Sequence, residues 1–165
     1  MYAAISADIV SSTSLCIEET IALKQRIEDL FSILEKRFPG FWGRLIKGDY
    51  IECLLPSPKD GFRVALIIKS CIKSFPVAES KKKKLFQAYG IRIAMGIGDM
   101  RIVDKEHGIM DGEAIYLSGR TLSGMGAQNK NGTFLIEPAD KHLKPALQTV
   151  GMLTDALLNN TTKRQ

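Results

Sequence analysis

Two aspartates are set where carboxylates are costly. Asp8 falls in "YAAISADIVSST", residues 2–13, where six of the eight residues from Tyr2 to Ile9 are apolar. Asp49 falls in "IKGDYIECLL", residues 46–55, between two apolar runs. An ionised carboxylate within a core is strongly unfavourable unless it is paired or binds a metal. One reading makes both turn residues: Asp8 opens a turn with Ser11, Ser12 and Thr13, and Asp49 serves a Gly-Asp turn. The other brings them together at neighbouring strand ends, where hard cations such as Mg²⁺ or Mn²⁺ find oxygen ligands and hold substrate phosphates. A two-metal site of that kind activates a hydroxyl and stabilises a leaving pyrophosphate. Like charges so close repel without a cation, which favours the second reading.

The elements that must position this pair are legible from periodicity. Leu23, Ile27, Leu30, Phe31 and Leu34 recur at helical spacing and predict a helix over about 15–37, stopped by Pro39-Gly40. "FWGRLIKGDYIECLLP" predicts strands over about 41–47 and 50–55 around a tight turn at Gly48-Asp49. Phe62, Ala65, Ile68, Ile72 and Phe75 mark a second helix ending before Pro76, followed by a basic loop and a short helical piece near 85–89. "IRIAMGIGDMRIV", 91–103, is one β-leaning run whose Gly96 and Gly98 predict a bulge or close backbone approach. In "DGEAIYLSGRTLSGM" the small residues Ala114, Ser118 and Gly119 predict a helix that packs tightly or approaches a ligand. "GMGAQNKNG", 124–132, reads as a flexible connection, and Asn131-Gly132 turns into a last strand over 133–137, with a last helix or pair of helices over 138–158. The order β-α-β-β-α-β predicts an α+β, ferredoxin-like sheet, with helices mainly on one face, plus an extra strand and a C-terminal helix. That plan brings the end of the first strand beside the strand 2–3 turn, and so Asp8 beside Asp49.

At this point the chain resembles the catalytic domain of class III nucleotidyl cyclases, the adenylate and guanylate cyclase group, over about residues 2–137. "ADIVSST" is similar to that family's first-metal motif, with Ser11 in place of a glycine, and "IKGDYIECLL" to its second-metal hairpin. "IRIAMGIG" resembles the strand after the second helix, and "YLSGR" the helix carrying the transition-state arginine. The resemblance implies Asp8 and Asp49 as metal aspartates, a backbone carbonyl from Ile9, and Mg²⁺ or Mn²⁺ as cofactor. It also implies Arg120 as the catalytic, phosphate-contacting arginine, a nucleoside triphosphate as ligand, and a homodimer whose subunits share each site. The departures fall on the base and ribose. Tyr116 stands where the family has a ribose-holding Asn, Ile109 at one base-reading position with Asp111 nearby, and Leu45 at the base-reading Lys. Lys47, two residues on, would share the strand face of Leu45. Lys47, Asp111 and Tyr116 are therefore the nucleotide-binding candidates. Apolar groups at base-reading positions remove the usual selection of adenine or guanine. The overlay of "KGDYIECLLP" on the diguanylate cyclase hairpin puts Tyr50 at the catalytic Glu. "DGEAIYLSGRTL", 111–122, resembles small bacterial SatD-like proteins more closely.

Bulk properties bound the rest. A chain of 165 residues with 45% hydrophobic and 25% charged residues can bury a core without staples. Cys16, Cys53 and Cys71, odd in number and widely spaced, read as reduced core residues of a cytoplasmic protein. No run approaches the ~20 apolar residues of a membrane span, and no basic segment precedes the first apolar run. The net charge of +5 suits an anionic ligand, although "KKKK" at 81–84 supplies much of it and reads as a solvated loop or helix start. Residues 1–137 read as the cyclase-like domain and 138–165 as a helical extension. Its "TTKRQ" end is either a frayed tail or, by the SatD-like resemblance, the run-up to a helix-turn-helix module through which alone DNA would be contacted. Three functions follow: a metal-dependent cyclase-like enzyme, a nucleotide-sensing or dimerisation domain of a bacterial regulator, and a metal-free structural domain.

Overall fold

The near-continuous apolar run of residues 2–9 builds the central strand, which is buried on both faces. The computed structural model describes residues 1–126 and 132–161. In chain order it has β1 (Tyr2–Ile9), α1 (Ile17–Arg37), β2 (Trp42–Ile46), β3 (Tyr50–Leu55), α2 (Pro58–Lys73), α3 (Lys84–Tyr89), β4 (Ile91–Gly98), β5 (Met100–Asp104), β6 (Ile109–Gly112), α4 (Glu113–Gly124), β7 (Phe134–Pro138) and α5 (Lys144–Asn159). The main sheet runs β2-β3-β1-β4-β7; its first four strands are antiparallel neighbours, and β7 joins parallel to β4. This is the expected ferredoxin-like order with an added strand.

Alternation decides which residues meet which layer. Ile5, Ala7 and Ile9 of β1 join Ile51, Cys53, Ile91, Ile93 and Met95 in the main core, under the buried stripe Leu23, Ile27, Phe31 and Leu34 of α1 and Val64, Ala65, Ile68 and Ile72 of α2. Such aliphatic side chains contribute about 1.5–3 kcal/mol each when fully buried. The other face, carrying Ala4, Ser6, Ala94 and Gly96, is covered by α4. Its small residues let the helix come close: Ser6 Oγ and Ser118 Oγ lie 2.9 Å apart, and a β-carbon on Gly96 would run into the carbonyl of Ala114. Of the two readings of the α4 segment, tight packing is the one realised by Ala114 and Ser118; Gly119 faces open space.

Residues 91–103 are two strands, not one. β4 ends at Gly98, where Asp99 turns the chain and its carbonyl accepts the Glu113 N–H at 2.8 Å. Met100–Asp104 then pairs with Ile109–Gly112 in a separate hairpin. The turn of that hairpin reaches the free side of β2: Lys105 Nζ donates to the Gly40 carbonyl at 2.8 Å, and Arg44 to the Gly108 carbonyl at 3.4 Å. The predicted connection over 124–132 and the Asn131-Gly132 turn lie largely outside the described residues, as does most of "TTKRQ".

Two expectations need correction. Cys53 is a core residue, but Cys16 is exposed and Cys71 only half-buried. Cys16 caps α1, its Sγ accepting the Glu19 N–H at 3.5 Å while Glu19 Oε2 accepts the Cys16 N–H at 3.0 Å. Nor is the lysine run wholly solvated. Lys83 is buried and pairs with Glu19 Oε1 at 2.7 Å, tying the loop before α3 to the start of α1. Lys83, together with the N–H groups of Cys16 and Ala78, lowers the Glu19 pKa from 4.5 to about 2. A carboxylate depressed on folding stabilises the fold above its unfolded pKa and loses that contribution as pH falls toward the folded value. The melting temperature of wild type should therefore exceed that of Glu19→Gln at neutral pH, with the gap closing between about pH 5 and pH 2. A gap unchanged across that range would rule out the linkage.

Candidate functional site

Asp8 is the penultimate residue of β1, opposite Tyr50 of β3 on one side and Arg92 of β4 on the other. It lies within the sheet, so it does not begin the following turn. Its side chain projects on the α4 face and forms a two-armed pair with Arg92, Nε donating to Oδ1 at 2.8 Å and Nη2 to Oδ2. Arg92 Nη1 also donates to the carbonyl of Gly126, just past α4. This resolves the cost of a carboxylate in the sheet: charge-assisted, bidentate pairing supplies the partner.

Asp49 arrives at the same end of the sheet. The Ile9 N–H donates to its carbonyl at 2.9 Å, one step beyond the Asp8–Tyr50 pair. Its Oδ2 accepts a hydrogen bond from Ser12 Oγ at 3.0 Å. Ser11 makes this possible with a left-handed φ of 53°, which swings the chain from β1 into the short turn Ser12–Ser14. The Lys47-Gly48-Asp49 turn also has φ of 52° at Lys47 and 89° at Gly48. The φ of Gly48 is what favours glycine there, and the end of the Lys24 side chain of α1 lies against it, Nζ 2.6 Å from where a β-carbon would stand. A cationic side chain thus lies across the turn that carries Asp49.

The sheet places Asp8, Ile9 and Asp49 at one end, with the backbones of Ile9 and Asp49 hydrogen-bonded. Lys47 differs from expectation: β2 ends at Ile46, and the exposed Lys47 belongs to the turn rather than to the strand face of Leu45. Arg120 and Tyr116 are exposed on α4, on the side opposite the buried Ala114, Ser118 and Leu122. Within one chain Arg120 faces away from the sheet that bears Asp8. Asp111 and Tyr116 are brought to each other: the Tyr116 hydroxyl donates to Asp111 Oδ1, and Arg101 pairs with Oδ2. The tyrosine hydrogen bond, then Arg101, holds the Asp111 carboxyl below its ordinary value, and Asp111 in turn raises the Tyr116 phenol.

Sequence reasoning missed Arg92, Lys24 and Arg101. The signal for Arg92 was a charged residue in an otherwise apolar strand, the same anomaly that drew attention to Asp8. In kind, two carboxylates at one sheet end suit a hard divalent cation. Asp49 offers an oxygen with no protein partner among the described residues, whereas both oxygens of Asp8 are engaged by Arg92. No group of three or more His, Cys, Asp or Glu converges among the described residues, so a cation here would rest on this pair and its surroundings.

Comparison with known proteins bears on the fold. No protein-family model matches the chain, and no curated protein matches it. Solved structures do. A bacterial light-regulated adenylyl cyclase superimposes with a TM-score of 0.56 at 13% identity, over 82% of this chain and 74% of that one. A second structure of a bacterial light-regulated adenylyl cyclase gives 0.54 at 14% identity, over 82% of this chain and 42% of that one. The chain thus has a cyclase-like α+β fold. No helix described is long and apolar enough to cross a membrane.

Proposed function

We propose that this chain is a divergent cyclase-like domain that binds a nucleoside triphosphate with Mg²⁺ or Mn²⁺ at the Asp8–Asp49 end of its sheet. The observation that carries the reading is that Asp8, near the end of β1, and Asp49, in the turn before β3, stand at the same end of the sheet, the Ile9 and Asp49 backbones being hydrogen-bonded, in a fold similar to that of adenylyl cyclases. Asp8 and Asp49, with the Ile9 carbonyl, would hold the cation, which neutralises phosphate charge and polarises phosphate oxygens when bound. Lys24 and Lys47 flank the turn with positive charge suited to phosphate oxygens. Ser12 orients Asp49. Arg120, turned outward on α4, would stabilise charge on the phosphates of a neighbouring copy's site, so that a homodimer completes each site. Tyr116 and Asp111 sit on the same outer surface as Arg120 and would contact the nucleotide there. Cyclisation to a cyclic nucleotide is the reaction this arrangement would serve.

A second reading keeps binding without turnover, as in a sensory domain of a bacterial regulator of the SatD-like kind. It is favoured by one observation: the Tyr116 hydroxyl is committed to Asp111, which is itself committed to Arg101, so a triphosphate would be held through its phosphates, without the base and ribose contacts that orient it for cyclisation.

Calorimetric titration with ATP, GTP, CTP and UTP, with and without Mn²⁺, tests the proposal. Wild type should bind at least one triphosphate in a Mn²⁺-dependent manner, and Asp49→Ala should weaken this at least ten-fold, about 1.4 kcal/mol. Formation of cyclic product by wild type then separates the enzyme from the sensor. Absence of binding to all four by wild type would overturn both.

A further inference from the structure

Arg92 and Asp8 stand directly opposite each other on β4 and β1, so the register of the sheet, not a loop, sets their pairing. Nε and Nη2 take both carboxylate oxygens, and Nη1 is held by the Gly126 carbonyl, so the guanidinium is anchored from two elements. The side chains of Arg92 and Asp8 are only 18% and 27% exposed, which limits screening by water and salt. Among the described residues Asp49 has no ion-pair partner, and the neutral Ser12 hydroxyl makes its one side-chain hydrogen bond. The two aspartates therefore differ in kind: one is already neutralised by a cation of the chain itself.

We propose that Arg92 is the resident counter-ion of Asp8, which keeps free divalent cations off this carboxylate, and that the site loads by exchange. In that exchange Asp8 passes from Arg92 to the incoming cation, and the released guanidinium turns to the phosphates that accompany it. Arginine suits the second role because its planar donors match phosphate oxygens as well as carboxylate. The proposal deepens the function proposed above and rests on its assignment of Asp8 and Asp49 to the cation. Its physical content is a competition: when the binding-competent state is a minor one, apparent affinity falls by the fraction populated. The cation alone should bind poorly, since nothing then compensates Arg92 for losing Asp8. Arg92 thus acts on the cation through Asp8 and, once released, on the phosphates directly.

The test is binding of Mn²⁺ alone, read by calorimetry and by the electron paramagnetic resonance signal of free Mn²⁺. Arg92→Gln should bind Mn²⁺ at least about ten-fold more tightly than wild type, since it removes the competitor and leaves both aspartates. The gain should vanish in Arg92→Gln/Asp8→Asn. An Arg92→Gln protein that binds no more tightly than wild type, or whose gain survives loss of Asp8, would overturn the proposal. If Arg92→Gln fails to melt cooperatively, Arg92→Lys replaces it: losing the two-armed geometry, it should show a smaller gain in the same direction, and no gain would be equally fatal. The triphosphate titration of wild type is independent. Its failure beside a Mn²⁺ gain removes the nucleotide and leaves the exchange at Asp8; its success without that gain does the reverse.

Discussion

Asp155→Ala is expected to destabilise the fold by about 3–5 kcal/mol, the range for breaking a buried ion pair from one side. Lys69 of α2 is fully buried, and its ammonium reaches the Ile91 carbonyl at 3.1 Å, Thr133 Oγ1 at 2.8 Å and Asp155 Oδ1 at 3.2 Å. Burial pulls the Lys69 pKa down, and Asp155 is the main influence opposing that. Asp155 also accepts from the Thr133 N–H at 2.6 Å, the Thr133 hydroxyl at 2.5 Å and Asn159 Nδ2 at 2.9 Å. One carboxylate thus holds α2, the approach to β7 and α5 together. Its loss leaves a buried ammonium with neutral acceptors only, and a buried N–H with none. Urea unfolding of Asp155→Ala, Lys69→Met and Lys69→Met/Asp155→Leu reads the effect. The double variant should recover much of the loss, because an apolar pair orphans no charge. A single-variant loss below about 1 kcal/mol would show that the charge is relieved some other way.

Gly96→Ala should be the next most damaging change, by about 1–3 kcal/mol as overpacking against backbone. Its new methyl would meet the Ala114 carbonyl and, at 2.6 Å, the Ser118 nitrogen of α4. Neither is a side chain that could rotate away, so α4 would have to lift from the sheet and stretch the 2.9 Å Ser6–Ser118 contact. Gly119→Ala, on the same helix with nothing within 4 Å of its β-carbon, is the control. It should stabilise by about 0.5–1 kcal/mol through helix propensity. Thermal unfolding of the two variants should move in opposite directions; movement in the same direction would remove the steric explanation.

What could be read from the sequence follows from what each signal depends on. The adjacency of Asp8 and Asp49 needed only strand order, which the β-α-β-β-α-β pattern carries. The helices were legible because Leu23, Ile27, Phe31 and Leu34 repeat at the helical period and are the residues buried. Arg92 was not legible as the partner of Asp8, because pairing requires the register between β1 and β4, and a slip of one residue would send its side chain to the other face. Lys47 was misplaced for a local reason: the hairpin spends three residues on its turn, so the strand ends one residue sooner than apolar alternation implied. The break between β4 and β5 was hidden because Met100–Asp104 continues the β-leaning composition and only the Gly98-Asp99 junction interrupts it. Lys83 looked like its three neighbours in composition, and only the fold places Glu19 within its reach.

The hairpin that leans on β2 has a consequence for solubility. A sheet edge exposes unpaired N–H and C=O groups that invite another chain to add a strand. Here that edge strand carries Arg44, whose guanidinium pairs with Glu52 at 2.7 Å, lies 5.1 Å from the Trp42 ring and donates to the Gly108 carbonyl of the hairpin turn, while Lys105 binds the Gly40 carbonyl just before the strand. At the opposite edge β7 ends in Pro138 and is packed by α5. Charge at one border and proline with helix cover at the other are devices that discourage runaway strand addition. Strand-by-strand addition of further copies to the sheet is thereby discouraged at both borders.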